Sequence, residues 1–231
     1  MIYGKDIGKK FDEQGNVLHY PGNTVVCDIL PGCSAYDVMT HLRQMVIDEG
    51  FADTLCLLPP DSYHMTVIRG LNDRIRTDTN WPEKLPKETP MEQVDDYITN
   101  AINKVGLPGP ARMKFYKTLP GAGCLIFQVV PADEEQAKIL SDFRDKAAEE
   151  IGLFLPKHHE YKFHISLGYR RILPEGEEAA RFDALVEKMD AYIANQPIFE
   201  TAAPYIAYYD DMLEFSPKRL PRRNVYLNSL K

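Results

Sequence analysis

The feature that most constrains this 231-residue chain is a short internal echo. Tyr63-His64-Met65-Thr66-Val67 and Phe163-His164-Ile165-Ser166-Leu167 share one chemical order: aromatic, histidine, aliphatic, hydroxyl, aliphatic. The copies stand 100 residues apart. At this composition the pattern arises by chance about 0.002 times per histidine, so two occurrences among six histidines amount to roughly one in ten thousand. A duplicated lobe accounts for it. Both segments are rich in aromatic and β-branched residues and read as strands. Side chains on a strand alternate faces and repeat every two residues, roughly 6.6 Å apart. His64 therefore shares a face with Thr66, and His164 with Ser166. Met65, Val67, Ile165 and Leu167 point the other way, where a helix can cover them. Two such strands brought together about a pseudo-twofold axis place two imidazoles and two hydroxyls around one cleft.

Strands and helices interleave along the chain. Thr24 to Leu30 reads as a strand ending at Pro31-Gly32. Ser34 is a natural N-cap for a helix from Ala35 to about Glu49, stopped by Gly50. The apolar run 54–58 precedes the first motif, whose strand closes at Gly70. Residues 71–90, with Pro82, Pro86 and Pro90, form a long loop of the kind that serves as a lid or mobile connection. Met91 to Val105 is a helix. Met113 to Leu119 and Cys124 to Val130 are strands around a glycine turn. Residues 131–152 are an amphipathic helix, Tyr161 to Tyr169 a strand, Glu177 to Ala194 a helix, and Phe199 to Tyr209 a strand. Residues 1–24, polar and glycine-rich, read as an arm or hairpin outside the core. Short turns between strands favour antiparallel pairing, hence α+β.

A pair of imidazoles suits phosphoryl chemistry without a metal. One, neutral, takes a proton from the attacking nucleophile while the other, as imidazolium, gives one to the leaving oxygen. The hydroxyls can donate hydrogen bonds to the non-bridging oxygens as charge builds there.

The His64-Met-Thr-Val67 and His164-Ile-Ser-Leu167 tetrapeptides resemble the signatures of the 2H (two-histidine) phosphoesterase superfamily, which includes the LigT and cyclic phosphodiesterase-like proteins. The continuation Ile68-Arg69-Gly70-Leu71 and the long proline-rich loop look most like a microbial branch. The resemblance implies one bilobal, internally duplicated α+β domain over residues 1–231, with two antiparallel sheets facing a central cleft and helices outside. It implies phosphodiesterase chemistry on a cyclic phosphate or 2′-linked phosphodiester of a nucleotide or RNA end, with no cofactor and no metal. Carried over, His64 and His164 become the acid/base pair and Thr66 and Ser166 the phosphate-binding hydroxyls. Tyr169 matches an aromatic that contacts substrate in plant-type members. The rival readings are a nucleotide or RNA-end binding module without turnover, and an RNA end-processing or ligase-like protein.

Arg69 is a candidate phosphate ligand, although strict alternation sets it on the face opposite His64. Tyr169 meets the same difficulty relative to His164, whereas Lys162 and Arg170 have favourable parity and stand in reserve. Tyr116 and Lys117 fit an amphipathic edge strand. His158-His159, in a polar stretch, reads as solvated loop.

With 27 basic and 34 acidic side chains the net charge is −7, which argues against coating nucleic acid or anionic membrane by bulk electrostatics. The substrate expected is instead a small nucleotide or a strand end, with the protein a monomer. Cys27, Cys33, Cys56 and Cys124 show no metal-ligand spacing and read as reduced, mostly buried thiols. No apolar run of signal-peptide or membrane-spanning length occurs, so the expectation is a cytoplasmic protein. The basic tail, with Lys218, Arg219, Arg222, Arg223 and Lys231, reads as a solvated end, and Val225 to Leu227 as a candidate last strand.

Overall fold

The computed structural model describes residues 1–220 and shows an α+β chain whose four helices accompany two antiparallel sheets. The first half runs β1 (Ile2–Tyr3), β2 (Gly22–Asp28), α1 (Ser34–Asp48), β3 (Leu55–Leu57), β4 (His64–Asn72) and α2 (Met91–Val105). The second half runs β5 (Arg112–Pro120), β6 (Cys124–Pro131), α3 (Glu134–Ile151), β7 (His164–Arg170), β8 (Ile172–Leu173), α4 (Glu177–Ile193), β9 (Phe199–Glu200) and β10 (Tyr205–Tyr209). Helix boundaries follow capping chemistry. The Asp133 carboxylate accepts the Gln136 N–H at 2.8 Å to start α3, and Gly152, at φ 72°, ends it in the left-handed conformation that costs glycine least. At α1 the cap position falls on Cys33, and Ser34 is the first helical residue. The Cys33 thiol turns away to the Glu200 carbonyl at 3.3 Å.

The large sheet has eight strands in the order β10-β2-β4-β7-β6-β5-β9, with β3 pairing alongside β7; β1 and β8 form the small one. The two halves of the chain thus meet at β4 and β7, joined by one backbone pair, Met65 opposite Ile165. The segment expected as one strand over 199–209 splits at Thr201–Pro204, and its halves go to opposite ends of the strand order. Seven strands laid flat span roughly 29 Å at 4.8 Å per strand, but five residue steps reach at most about 18 Å. The sheet therefore curls until its ends approach, and the linker bridges them. Thr201 N–H donates to the Ala111 carbonyl at 3.0 Å beside β5, and Ala202 N–H to Asp28 in β2 at 3.1 Å. The helices cover the face carrying Met65, Val67, Ile165 and Leu167, each fully buried. There α3 lies on β4 and β6, α4 on β5, and α2 against α3.

Three segments differ from the sequence reading. Residues 1–24 are no loose arm: Phe11, Val17 and Tyr20 are buried in the core, and β1 pairs with β8. The 71–90 loop is built around buried Trp81, on which Arg76 stacks at 4.5 Å while bonding Asp73. In the tail Arg219 is no solvated charge, because its guanidinium bonds the buried carboxylate of Asp95, the partly buried one of Asp210 and the Gly22 carbonyl. Arg222, Arg223, Lys231 and the Val225 to Leu227 segment lie outside the described residues. No helix among the described residues is long and apolar enough to cross a membrane.

Gly70 is required by close approach. A Cβ there would stand 2.1 Å from Asn23 Oδ1 and 2.6 Å from the Asn23 carbonyl oxygen. That Oδ1 is committed, since it accepts the Leu71 N–H at 2.8 Å while the Asn23 amide donates to Asp95 at 2.9 Å. We expect Gly70→Ala to destabilise the fold by about 2 kcal/mol, read as a lower urea midpoint at unchanged slope; an unchanged midpoint would contradict this packing.

Candidate active site

Two β-bulges, one in each motif, build the site. Along β2 and β4 the register pairs Val26 with Thr66 and Val25 with Ile68, leaving Val67 as an extra residue. Along β6 and β7 it pairs Ile126 with Ser166 and Leu125 with Gly168, leaving Leu167 as the extra residue. A bulge of this kind puts two consecutive residues on one side and shifts the alternation beyond it by one. Val67 and Ile68 are accordingly both buried, and Arg69 emerges on the face of His64 and Thr66. In the same way Tyr169 joins His164 and Ser166. The parity conflict at Arg69 and Tyr169 is thereby resolved in favour of the cleft. Each bulged carbonyl finds a donor outside the ladder. Arg144 Nη1 donates to Val67 at 2.6 Å, and Leu58 N–H donates to Leu167 at 3.0 Å.

An antiparallel pair has a local twofold axis at each opposed residue pair. With Met65 facing Ile165, that axis relates His64 to His164, Thr66 to Ser166, and Arg69 to Tyr169. The equivalence extends to hydrogen bonds. His64 Nδ1 lies 2.8 Å from the Ser62 carbonyl oxygen, and His164 Nδ1 lies 2.8 Å from that of Lys162, two residues back in each case. A carbonyl oxygen only accepts, so Nδ1 carries the proton in both neutral rings, and each Nε2 keeps its lone pair for the cavity. Burial lowers both pKa values. His64 falls to about 4, with His164 adding repulsion. His164 is also lowered, by burial and then by Arg69 and Lys10. Both rings are thus neutral at pH 7 until an anion arrives.

The six residues His64, Thr66, Arg69, His164, Ser166 and Tyr169 line one cavity of about 500 Å³, a size that suits a small-molecule ligand. Its charged lining consists of Lys5, Lys10 and Arg69 against Asp6, so an acidic chain presents a cationic pocket. The N-terminal segment supplies three of these four groups. Lys10 Nζ donates to Tyr169 Oη at 3.5 Å and lies over its ring at 4.5 Å, while Phe11 packs against the same ring, centroids 5.2 Å apart. Tyr161 stacks on Arg144 at 4.1 Å, and its hydroxyl donates to the Thr66 carbonyl at 3.3 Å. Phe215 lies against His64, ring centroids 4.1 Å apart. Ile75 and Asn80 bring the 71–90 loop into one wall. Lys10, Tyr161 and Phe215 escaped the sequence reading because none of them belongs to the repeated pattern.

The reserve candidates lie elsewhere. Arg170 is buried on the opposite face, its guanidinium 3.7 Å from the Phe182 ring centroid. Lys162 is exposed and contributes its carbonyl to His164. Tyr116 is exposed on β5, which is no edge strand but lies between β6 and the short β9, and it falls beyond the two residues that β9 pairs. His158, expected in solvated loop, is buried, with Nε2 2.8 Å from the Asp145 carboxylate. All four cysteines are free thiols; Cys27 and Cys56 are buried, and Cys124 lines the cavity.

Comparison with known proteins adds the following. Residues 10–123 match the family described as "2H-phosphodiest: Domain of unknown function (DUF1868)". That span holds the first motif and Lys10. The chain is similar to the crystal structure of the conserved protein of unknown function ATU0111 from Agrobacterium tumefaciens str. C58. The TM-score is 0.83 at 28% identity, over 93% of this chain and 91% of that one. The protein TT0787 of Thermus thermophilus aligns at a TM-score of 0.41 and 12% identity, over 80% of this chain and 85% of that one. No curated protein matches.

The tautomers and the low basicity are directly measurable. In imidazole ¹⁵N spectra of the free protein we expect both rings as the Nδ1–H form at pH 7, with His64 titrating near 4. An Nε2–H tautomer, or a midpoint at 6.5 for His64, would contradict the site as described.

Proposed function

Because residues 10–123 match the family model described as 2H-phosphodiesterase, we propose that the chain is a metal-independent phosphodiesterase acting on a nucleotide or RNA end. It opens a cyclic phosphate or cleaves a 2′-linked phosphodiester. The observation that carries this reading is the pair of twofold-related imidazoles, each with Nδ1 on a backbone carbonyl, beside two hydroxyls in one cationic cavity.

The reaction follows from those positions. One Nε2 takes a proton from water as its oxygen attacks phosphorus. The other ring, protonated, passes its Nε2 proton to the leaving 2′-oxygen as the P–O bond breaks. The product is a phosphomonoester, and the two rings exchange protons with solvent to reset. Because a carbonyl holds each Nδ1–H, neither ring needs to turn before it accepts or donates. Thr66 and Ser166 donate to the non-bridging oxygens, and Arg69 and Lys10 offset the phosphate charge. General acid and general base contribute typically 10²- to 10⁴-fold each. The bound phosphate also supplies the proton carrier, since its negative charge stabilises an imidazolium that burial disfavours in the empty cavity.

The test is hydrolysis of 2′,3′-cyclic nucleotides and 2′-5′ oligoadenylates with and without EDTA. We expect turnover unaffected by EDTA, a kcat loss of about 10²-fold or more in His64→Ala or His164→Ala, and a KM rise of about tenfold in Arg69→Ala. The active form has one ring neutral and one protonated. With both pKa values lowered by burial in the free protein, that of His64 to about 4, kcat/KM rises through the lower of the two and falls through the upper, both below 6.5. The bell should therefore lie on the acid side of 6.5, with the alkaline limb of kcat shifted upward by bound phosphate. Binding without turnover on every substrate, or turnover abolished by EDTA, would overturn the proposal.

A further inference from the structure

Outside the cavity, Asp145 on α3 and the consecutive His158 and His159 bring three unlike ligand atoms within 4.8 Å of one another. We propose that they form a divalent-cation site of zinc type, which ties α3 to the turn leading into β7. His158 Nε2 stands 2.8 Å from Asp145 Oδ1, and His159 Nδ1 stands 3.5 Å from the same oxygen. Ligand atoms around tetrahedral zinc, at bond lengths of about 2.0–2.2 Å, lie roughly 3.4 Å apart. Small side-chain rotations bring this set onto that geometry, and two nitrogens with one carboxylate oxygen suit zinc. The side chains of His159 and Asp145 are 74% and 44% exposed, which leaves the fourth position to water.

The backbone is arranged for this meeting. Lys157 adopts φ 61° and ψ 33°, the left-handed region, alone among the described non-glycine residues. That turn aims two successive imidazoles at one carboxylate, which a simple His–Asp bond would not require. The His158 peptide is held in turn by Arg144, whose Nη2 donates to its carbonyl at 2.9 Å. His158 is 8% exposed, and its ring packs against Phe154, ring centroids 5.0 Å apart. On metal binding that ring keeps one proton, which passes from Nε2 to Nδ1. Arg144 also donates to the Val67 carbonyl and stacks on Tyr161.

The site is tested by calorimetric titration of the chelator-treated full chain with Zn²⁺ at pH 7.5. We expect one equivalent bound with a micromolar or tighter Kd, and a Tm raised by several degrees in excess Zn²⁺. His159→Ala removes an exposed side chain and leaves the packing of His158 intact. It should weaken binding at least tenfold and abolish the Tm rise, and Asp145→Asn should do the same. Absence of saturable binding would overturn the proposal. So would equal binding in both variants, since the ion would then sit elsewhere, for instance on the thiols. None of these outcomes bears on the phosphodiesterase reading, because the cluster lies outside the cavity and the readout is not activity.

Discussion

Everything at the candidate site depends on one contact, the antiparallel meeting of β4 and β7 at Met65 and Ile165. Both side chains are fully buried under the helices. A slip of one residue at this seam would turn every side chain of one motif to the other face. A slip of two would keep the faces but break the correspondence of histidine with histidine and hydroxyl with hydroxyl. The apolar face therefore sets the chemical one. Met65, Val67, Ile165 and Leu167 are held by hydrophobic burial, and the imidazoles and hydroxyls go wherever the alternation leaves them.

Electrostatics makes the site responsive to its ligand. The chain is acidic overall, yet the cavity concentrates Lys5, Lys10 and Arg69 against Asp6. In this setting burial disfavours the imidazolium at both histidines, and Arg69 and Lys10 disfavour it further at His164. In the proposed reaction a bound phosphate would reverse that balance locally. Its charge would be matched by cations already in place, and the proton drawn onto one ring would be the proton that the proposed leaving oxygen requires.

Much of this was legible in the sequence. The echo picked out both histidines and both hydroxyls, and the interleaved strand and helix patterns with their short turns pointed to α+β, because such periodicities are local properties. What escaped depended on contacts far apart in sequence. The bulges at Val67 and Leu167, which bring Arg69 and Tyr169 into the cleft, arise from pairing with β2 and β6 and leave no mark in composition. The polar segment 1–24 reads as an arm because its apolar residues are few. Phe11, Val17 and Tyr20 are nevertheless enough to dock it, and docking delivers Lys10. The division of 199–209 shows a proline at 204, but only the curl of the sheet explains why the two pieces join opposite ends. Arg219 and His158 looked solvated because their partners, Asp95 and Asp145, lie 124 and 13 residues away.

The central claim is that two symmetry-related histidines work as one proton-transfer unit, and a double-mutant cycle in kcat on a 2′,3′-cyclic nucleotide tests it most directly. If the pair acts as a unit, removing the second histidine after the first adds little, so His64→Ala/His164→Ala is about as slow as either single variant. If the two losses multiply, each histidine acts independently, and the account of a coupled acid/base pair at the β4–β7 seam is wrong.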